Sequence, residues 1–448
     1  MMLTCRLLLG LAALVLSGFG LTLPATAQQG LTPVVFVHRN GDTVALWNTI
    51  MWRFETNGYP RDRLAAIDIK FPNARGVDDK PQEGRSSANE AMADLSAFVD
   101  AVLARTGAAK VALVGNSRGA NTIRNYVKNG GGAAKVSHVV LGGGVNHGVL
   151  VSDAVLVGSE FNGASPFMKQ LNDGPDEVVA GVAFMTIRSD KSDKYAQPDG
   201  MFLGMAGKPT GVSFDAPALK GADNKVIDGY DHREVSYGPK AFALMYEFIT
   251  GKPAKFTGIA AEAQSLLNGR VTGVTAGAYD NVPVAGAKVD IYAVDSASGA
   301  RKGPPVHSKT TGADGQWGPF KASSLETYEF VITMAGQPIT HIYRSAFARG
   351  SEVIHLRPAM LGKDEDKAGA LVLMTRPRGY FGHGRDTFTL DGKMPDGVNQ
   401  GVPGASTGKA ALPAGPQRSV IAKFNDEVIV VQTWPMADKH YVIAEFHY

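Results

Sequence analysis

The chain has 448 residues, of which 44% are hydrophobic and 19% charged, with a formal net charge of +3. That length and apolar content allow a deep core and more than one domain, while the small positive excess, with no basic cluster or arm, gives no footing for a nucleic acid partner. The single cysteine, Cys5, excludes a disulfide within the chain.

At the N-terminus, Arg6, the apolar run LLLGLAALVLSGFGLTL and the small-residue end Ala25-Thr26-Ala27 read as a secretory signal peptide, residues 1–27, with cleavage expected before Gln28. A secreted or periplasmic location follows as an expectation. Cys5 precedes the apolar run, which argues against lipid attachment. Nothing after residue 27 is long and apolar enough to span a bilayer.

From about Leu31 to Gly251, apolar runs alternate with amphipathic segments. Val34 to Val37, RLAAIDIKF, KVALVG, SHVVLGG, GVAFMTIRS and NKVIDG read as six strands. Met92, Leu95, Phe98, Val99, Val102 and Leu103 mark one helix face, and PKAFALMYEFI a last helix. Strands alternating with helices predict an α/β domain, residues 28–254, with a mostly parallel sheet covered on both sides. Beyond Gly251-Lys252-Pro253 the pattern changes. Turn clusters recur about every 8 to 12 residues between alternating strands such as AKVDIYAVD, YEFVITM, SEVIHLR and VIVVQTW, which predicts an all-β region, residues 255–448, a sandwich or barrel. A seam between two β modules is expected near 358–367.

The stretch KVALVGNSRGANTIRNYV places Ser117 between Gly115 and Gly119, where a buried-strand run gives way to helical spacing. A strand that turns straight into a helix exposes the residue at the bend, and small neighbours let the backbone make that turn. Ser117 is therefore the candidate nucleophile. A second match, Gly404 to Gly408, lies in a Pro/Gly-punctuated loop with no strand before it and is read as coincidence.

A nucleophilic serine needs a base, an acid to orient the base, and donors for the developing oxyanion. Of the histidines after Ser117, His138 sits inside a strand and His147 follows the fourth strand, at the pocket floor. His232, in a loop between the short sixth strand and the last helix, is the candidate base. The segment after the fifth strand, MTIRSDKSDKYAQPDG, offers Asp193 as the acid, with Asp190 second and Asp199 and Asp153 behind them. The oxyanion donors are expected from Arg118, which follows the nucleophile, and from Asn40 or Arg39 in the loop after the first strand. The segment from Asn146 to about 178 carries Val149, Leu150, Val151, Val155, Leu156 and Val157 and is either a lid or a core helix.

Together these residues resemble the secreted α/β-hydrolase lipases and esterases, and among them the two-part type with a C-terminal β-barrel domain described for an archaeal lipase. The likeness rests on VHRNGD, MWRFETNGYP, LSAFVDAVLARTGAAKVALVGNSRG, AAKVSHVVL, ALMYEFITGKP and ITHIYRSAFARG, and on Asp193 to Pro198, which is similar to the D-x-x-V-x-P acid turn of lipases. Residues 269–336 also resemble a carboxypeptidase-regulatory-like β-sandwich. The resemblance implies acyl ester hydrolysis through a serine acyl-enzyme, with the β region helping to bind the acyl chain. Asn116 stands where the family usually has histidine, Arg118 is bulkier than usual, and His38-Arg39 replaces the usual His-Gly; these departures are expected to change pocket shape and charge.

The expected substrate is a lipid or another ester, polymers included, with contact to a membrane or lipid surface in the first case. No cofactor or metal is called for, since the chain has no H-E-x-x-H and no calcium loop. The alternatives are a polyester depolymerase or carbohydrate esterase on the same scaffold, and a non-catalytic binding protein.

Overall fold

The computed structural model describes residues 30–448; the expected signal peptide lies outside them. Strand β1 (Val34–Val37) is buried along its whole length, which four consecutive bulky apolar residues permit only in the middle of a sheet covered on both faces. It pairs in parallel with β2 (Leu64–Ile67) on one side and β3 (Val111–Asn116) on the other. β4 (Val136–Gly142), β5 (Ala183–Ser189) and β6 (Asp223–Ile227) extend the sheet to six parallel strands in the order β2-β1-β3-β4-β5-β6.

Alternation along β1 sends side chains to two cores. Val35 and Val37 pack with Leu95 and Val99 of α2 (Ala88–Thr106) and Ile123 and Tyr126 of α3 (Arg118–Asn129). Val34 and Phe36 pack on the opposite face with Ile50 and Phe54 of α1 (Asn48–Thr56) and Phe242 and Met245 of α4 (Pro239–Thr250). A capping box between Ser87 and Glu90 starts α2, and Gly107, at φ 65°, ends it. This is the α/β-hydrolase arrangement anticipated above. Because the strand order reverses between β1 and β3, the loops leaving their C-terminal ends diverge and open a crevice, the place where such sheets bind ligands.

After Thr250 the described residues form strands, with helical structure confined to the short turns Glu365–Lys367 and Met436–Asp438. Seven strands make the main sheet, in the order His307–Thr310, Lys288–Val294, Thr327–Thr333, Ile339–Arg344, His440–Glu445, Ala370–Thr375, Thr407–Leu412. This sheet takes strands from both sides of residues 358–367. A three-stranded sheet of Phe388–Leu390, Ser419–Phe424 and Glu427–Gln432 shares a core with it through Phe388, Val420 and Val431 against Val372 and Val442.

One expected strand is absent. Ser351 to Arg357 (SEVIHLR) forms only isolated bridges, Ser351 to Leu267 and Leu356 to Val271. Its backbone still bonds to the 266–270 stretch, from the amides of Ser351 to Leu266 O at 2.9 Å, Ile354 to Asn268 O at 2.9 Å and Leu356 to Arg270 O at 2.8 Å, but without the continuous register of a strand.

The two kinds of structure are packed together within the compact unit Thr32–Tyr448. Trp52 of α1 is buried in the β-region core beside Leu267 and Phe347, and its Nε1 donates to the carbonyl of Gly350 at 2.9 Å. The loop after β1 is held from the β region as well. Arg357 donates to Gly41 O at 2.9 Å, Asn281 to Asp42 O at 3.0 Å, and Arg378 to Ala45 O at 2.7 Å and Leu46 O at 3.1 Å.

Candidate active site

Ser117 follows β3 and is the N-cap residue of α3, with φ 54° and ψ −117°, a conformation that costs a side-chain-bearing residue on the order of 1–3 kcal/mol. Both flanking glycines are required by contact. A Cβ on Gly115 would stand 2.7 Å from Ile123 Cδ1 and 2.9 Å from Gly119 O, and one on Gly119 would collide with the carbonyl oxygen of Val37. The second contact matters most, because it seats the start of α3 directly against the end of β1 and its loop.

His232 lies in the turn between β6 and the short helix Glu234–Tyr237. Its Nδ1 donates to Oδ2 of Asp193 at 2.9 Å, while its Nε2 is buried with no hydrogen-bond partner among the described residues. Tyr195 packs edge-on against the imidazole at 4.6 Å between centroids. Asp193 is itself fixed: it caps the turn Lys194–Ala196, accepting from the Tyr195 amide through Oδ1 at 2.8 Å, so Oδ2 is the oxygen left for His232.

Asn116 ties the serine turn to the histidine turn. Its fully buried Nδ2 donates to Gly142 O at 2.9 Å, to Ser236 Oγ at 2.9 Å and to His232 O at 3.2 Å, and the Ser117 amide donates to the same Gly142 carbonyl at 3.1 Å. The departure at this position therefore acts as a brace and does not reshape the pocket. Arg118 departs from expectation in the same way. Its guanidinium is turned inward, bonded to Glu160 at 2.7 Å, Pro72 O at 2.9 Å and Ser86 Oγ at 3.0 Å, so it brings no free charge to the crevice. Burial pushes the Glu160 carboxyl up against the pull of this guanidinium.

As the first residue of α3, Arg118 presents an amide that has no acceptor within the helix. Asn40 sits in the loop after β1, where its side-chain oxygen accepts from the Ala74 amide at 2.7 Å. His38 is a core residue of this loop: its Nε2 accepts from the Ile69 amide at 3.1 Å, and burial holds its pKa below the usual value.

The other candidates are occupied elsewhere. Asp190 accepts from the amides of Ser192 at 2.9 Å and Gly229 at 3.2 Å and from Ser189 Oγ at 3.2 Å; these bonds outweigh burial and hold its pKa low. Asp199 caps Met201, and Asp153 is exposed. His138 lies edge-on to Phe248, and His147 Nε2 pairs with Glu177 at 2.8 Å. A cavity of about 100 Å³ borders Asp193 and His232, with His147, Tyr195, Phe214 and Leu219 among its walls.

The segment after His147 is irregular as far as a short helix, Pro166–Leu171, which buries Met168 and Leu171. Val149 and Leu150 are buried, but Val151, Val155, Leu156 and Val157 are exposed, as are Met201 and Phe214 of the neighbouring loop.

Residues 31–171 match the family model of lipase (class 2), and residues 264–361 that of the lipase C-terminal domain. Two lipase models thus fall on the two parts of the chain, the first on the hydrolase sheet and the second on the β region. The first match supports a carboxylic ester hydrolase, and the second contains the stretch likened above to a β-sandwich. Among solved structures, lipase B of Aspergillus fumigatus is similar at 16% identity over 52% of this chain, with a TM-score of 0.36; the match spans 56% of that lipase. The mature lipase BlEst2 of Bacillus licheniformis is similar at 20% identity over 49% of this chain and 93% of its own, also with a TM-score of 0.36. Carboxylesterase CesB of Bacillus subtilis follows at 14% identity over 49% of this chain and 85% of its own, with a TM-score of 0.27.

Proposed function

We propose that this lipase-family chain is an exported serine hydrolase that cleaves acyl esters, with Ser117 as nucleophile, His232 as general base and Asp193 as its orienting acid. Ser117 Oγ gives its proton to Nε2 of His232 and bonds to the ester carbonyl carbon. The tetrahedral oxyanion is held by the amides of Arg118 and Asn40, each donor worth about 3 kcal/mol in the transition state. The carbon–oxygen bond to the alcohol breaks as His232 returns the proton to the departing oxygen. A water, deprotonated by His232, then adds to the acyl-enzyme, and the acid leaves as Ser117 regains its proton.

One observation carries this reading: the imidazole held at Nδ1 by Asp193, with Nε2 buried and unpartnered, in a turn tied by Asn116 to a serine at positive φ. The exposed Val151, Val155, Leu156, Val157, Met201 and Phe214 support a substrate with long apolar chains, hence a lipase. Contact with a lipid surface belongs to the same proposal. The same patch suits a water-insoluble polyester, which is the second reading. Export rests on the N-terminal sequence pattern.

Hydrolysis of p-nitrophenyl esters from acetate to palmitate by the mature protein, beside Ser117→Ala, tests the proposal. Activity that peaks at long chains and disappears in the variant is expected. A short-chain peak would favour the esterase or depolymerase alternative, and equal activity in both proteins would remove Ser117 from the mechanism.

A further inference from the structure

Asp231, the residue beside His232, is completely buried, and its partners come from two parts of the chain. Oδ1 accepts from the amides of Arg233 at 2.8 Å and Glu234 at 3.0 Å, within its own turn. Oδ2 accepts from the amide of Tyr380 at 2.7 Å, from Arg385 at 3.3 Å and from Arg376 at 3.4 Å, all in the C-terminal half. Arg385 also donates to Gly229 O at 3.2 Å and to Glu234 at 2.7 Å, and Arg376 pairs with the other oxygen of Glu234. In return, Arg233 donates to Pro377 O at 2.9 Å and lies over the Tyr380 ring at 4.6 Å.

The turn from Gly229 to Glu234 is therefore gripped from outside by residues 376–386, while Asn116 holds it from inside. We infer that Arg376 and Arg385 are positioning residues for His232, acting through Asp231 from the C-terminal half of the chain. Three features support this role over simple adhesion between the halves.

The first is adjacency, since the carboxylate they engage is one residue from the base. The second is the type of segment: an irregular turn has no ladder of its own to fix the direction of Nε2. The third is charge. A fully buried carboxylate is stable only with cationic or donor partners, so without the two guanidiniums its charge rests on three backbone amides alone and the turn is held less firmly. Burial and the neighbouring Asp231 push Glu234 up, to about 7, against the pull of the same two guanidiniums.

The inference rests on His232 being the base, so its test includes Ser117→Ala as a separate arm. Asp231→Asn, Arg376→Gln, Arg385→Gln and Arg385→Lys are compared with Arg349→Gln in the full mature chain. Arg349 also joins the halves, pairing with Glu55 and Glu262 at 3.0 Å, but touches neither catalytic turn. Steady-state hydrolysis of a p-nitrophenyl ester and thermal melting are measured for each.

Positioning predicts that kcat falls about 10- to 100-fold in Asp231→Asn and Arg385→Gln, with KM within twofold, in protein still folded at the assay temperature. Arg385→Lys recovers part of the loss, and Arg349→Gln lowers the melting temperature while keeping kcat. If Arg376→Gln does not fold, the more exposed member of the cluster, Arg385, with a side-chain exposure of 24%, and the isosteric Asp231→Asn still decide the matter. Unchanged kcat in both of those folded variants overturns the inference and leaves the Ser117 mechanism standing. A kcat loss in Arg349→Gln as large as theirs also overturns it. Retained activity in Ser117→Ala overturns both.

Discussion

His232 and Asp193 meet through Nδ1 and Oδ2 at 2.9 Å although 39 residues separate them in sequence, and the other carboxylate oxygen of Asp193 is already committed to a backbone amide. A neutral amide in place of that carboxylate can present a donor to Nδ1 and reverse the tautomer of the ring. Asp193→Asn should therefore lower kcat by about 10⁴-fold with little change in KM. Asp190→Asn, which removes only turn contacts, should stay within a few-fold of the parent. Steady-state kinetics on one p-nitrophenyl ester decides between the two carboxylates: comparable losses in both variants would remove the distinction.

Arg118 and Glu160 form a buried ion pair, with side-chain exposures of 2% and 1%. Breaking such a pair by removing one partner costs about 3–5 kcal/mol, because a charge is left behind without water. Arg118→Met and Glu160→Gln should each lose stability in that range, and the double variant less than the sum. Urea unfolding of the four proteins measures this directly; additive losses would mean the charges are screened by groups other than each other.

The close approach of Gly119 to Val37 predicts sharp intolerance at one glycine. Gly119→Ala should cost several kcal/mol or prevent folding, since both partners are backbone and cannot yield. Gly303→Ala, which meets nothing within 4 Å, should stay within about 0.5 kcal/mol of the parent. Thermal melts of the purified proteins make the comparison.

Acid should destabilise the fold through His447. Burial, helped by the charges of Arg378 and Arg344, pushes its pKa down to about 3, so it is neutral in the folded state and its Nε2 donates to Ser345 O at 3.0 Å. The folded value lies below the unfolded one. The stabilisation is therefore present above about pH 6.5 and is lost as pH falls toward 3, at up to about 1.4 kcal/mol per pH unit. His447→Gln, less stable at pH 7, should show a shallower fall in melting temperature between pH 6.5 and 4. An unchanged slope would assign the acid sensitivity to other groups.

The hydrolase sheet was readable because its strands are continuous apolar runs: Val34–Val37 is found with its expected bounds and Ala183–Ser189 two residues short of them. The glycines around Ser117 carried a geometric meaning that contact distances bear out. Asp193 could be ranked above Asp190 only through the likeness of Asp193 to Pro198 to an acid turn. Composition could not separate two carboxylates three residues apart, because what distinguishes them is which backbone amides each one caps. Asp231, Arg376 and Arg385 escaped notice for a different reason. Nothing local marks a pairing across about 150 residues, and arginines in a turn-rich β region look like surface charge until the tertiary packing buries them.

Strand His440–Glu445 lies between Ile339–Arg344 and Ala370–Thr375 and runs parallel to both. During synthesis those two strands emerge well before the one that joins them, and each must wait with an open edge. The β half therefore cannot finish folding as its parts appear; it closes in one late step, with long loops already made. The turn bearing His232 leans on residues next to Ala370–Thr375, so its final shape belongs to the same step. A chain halted before residue 440 should have a nearly complete hydrolase sheet and yet expose two hungry sheet edges, a species prone to aggregate before it is ever active.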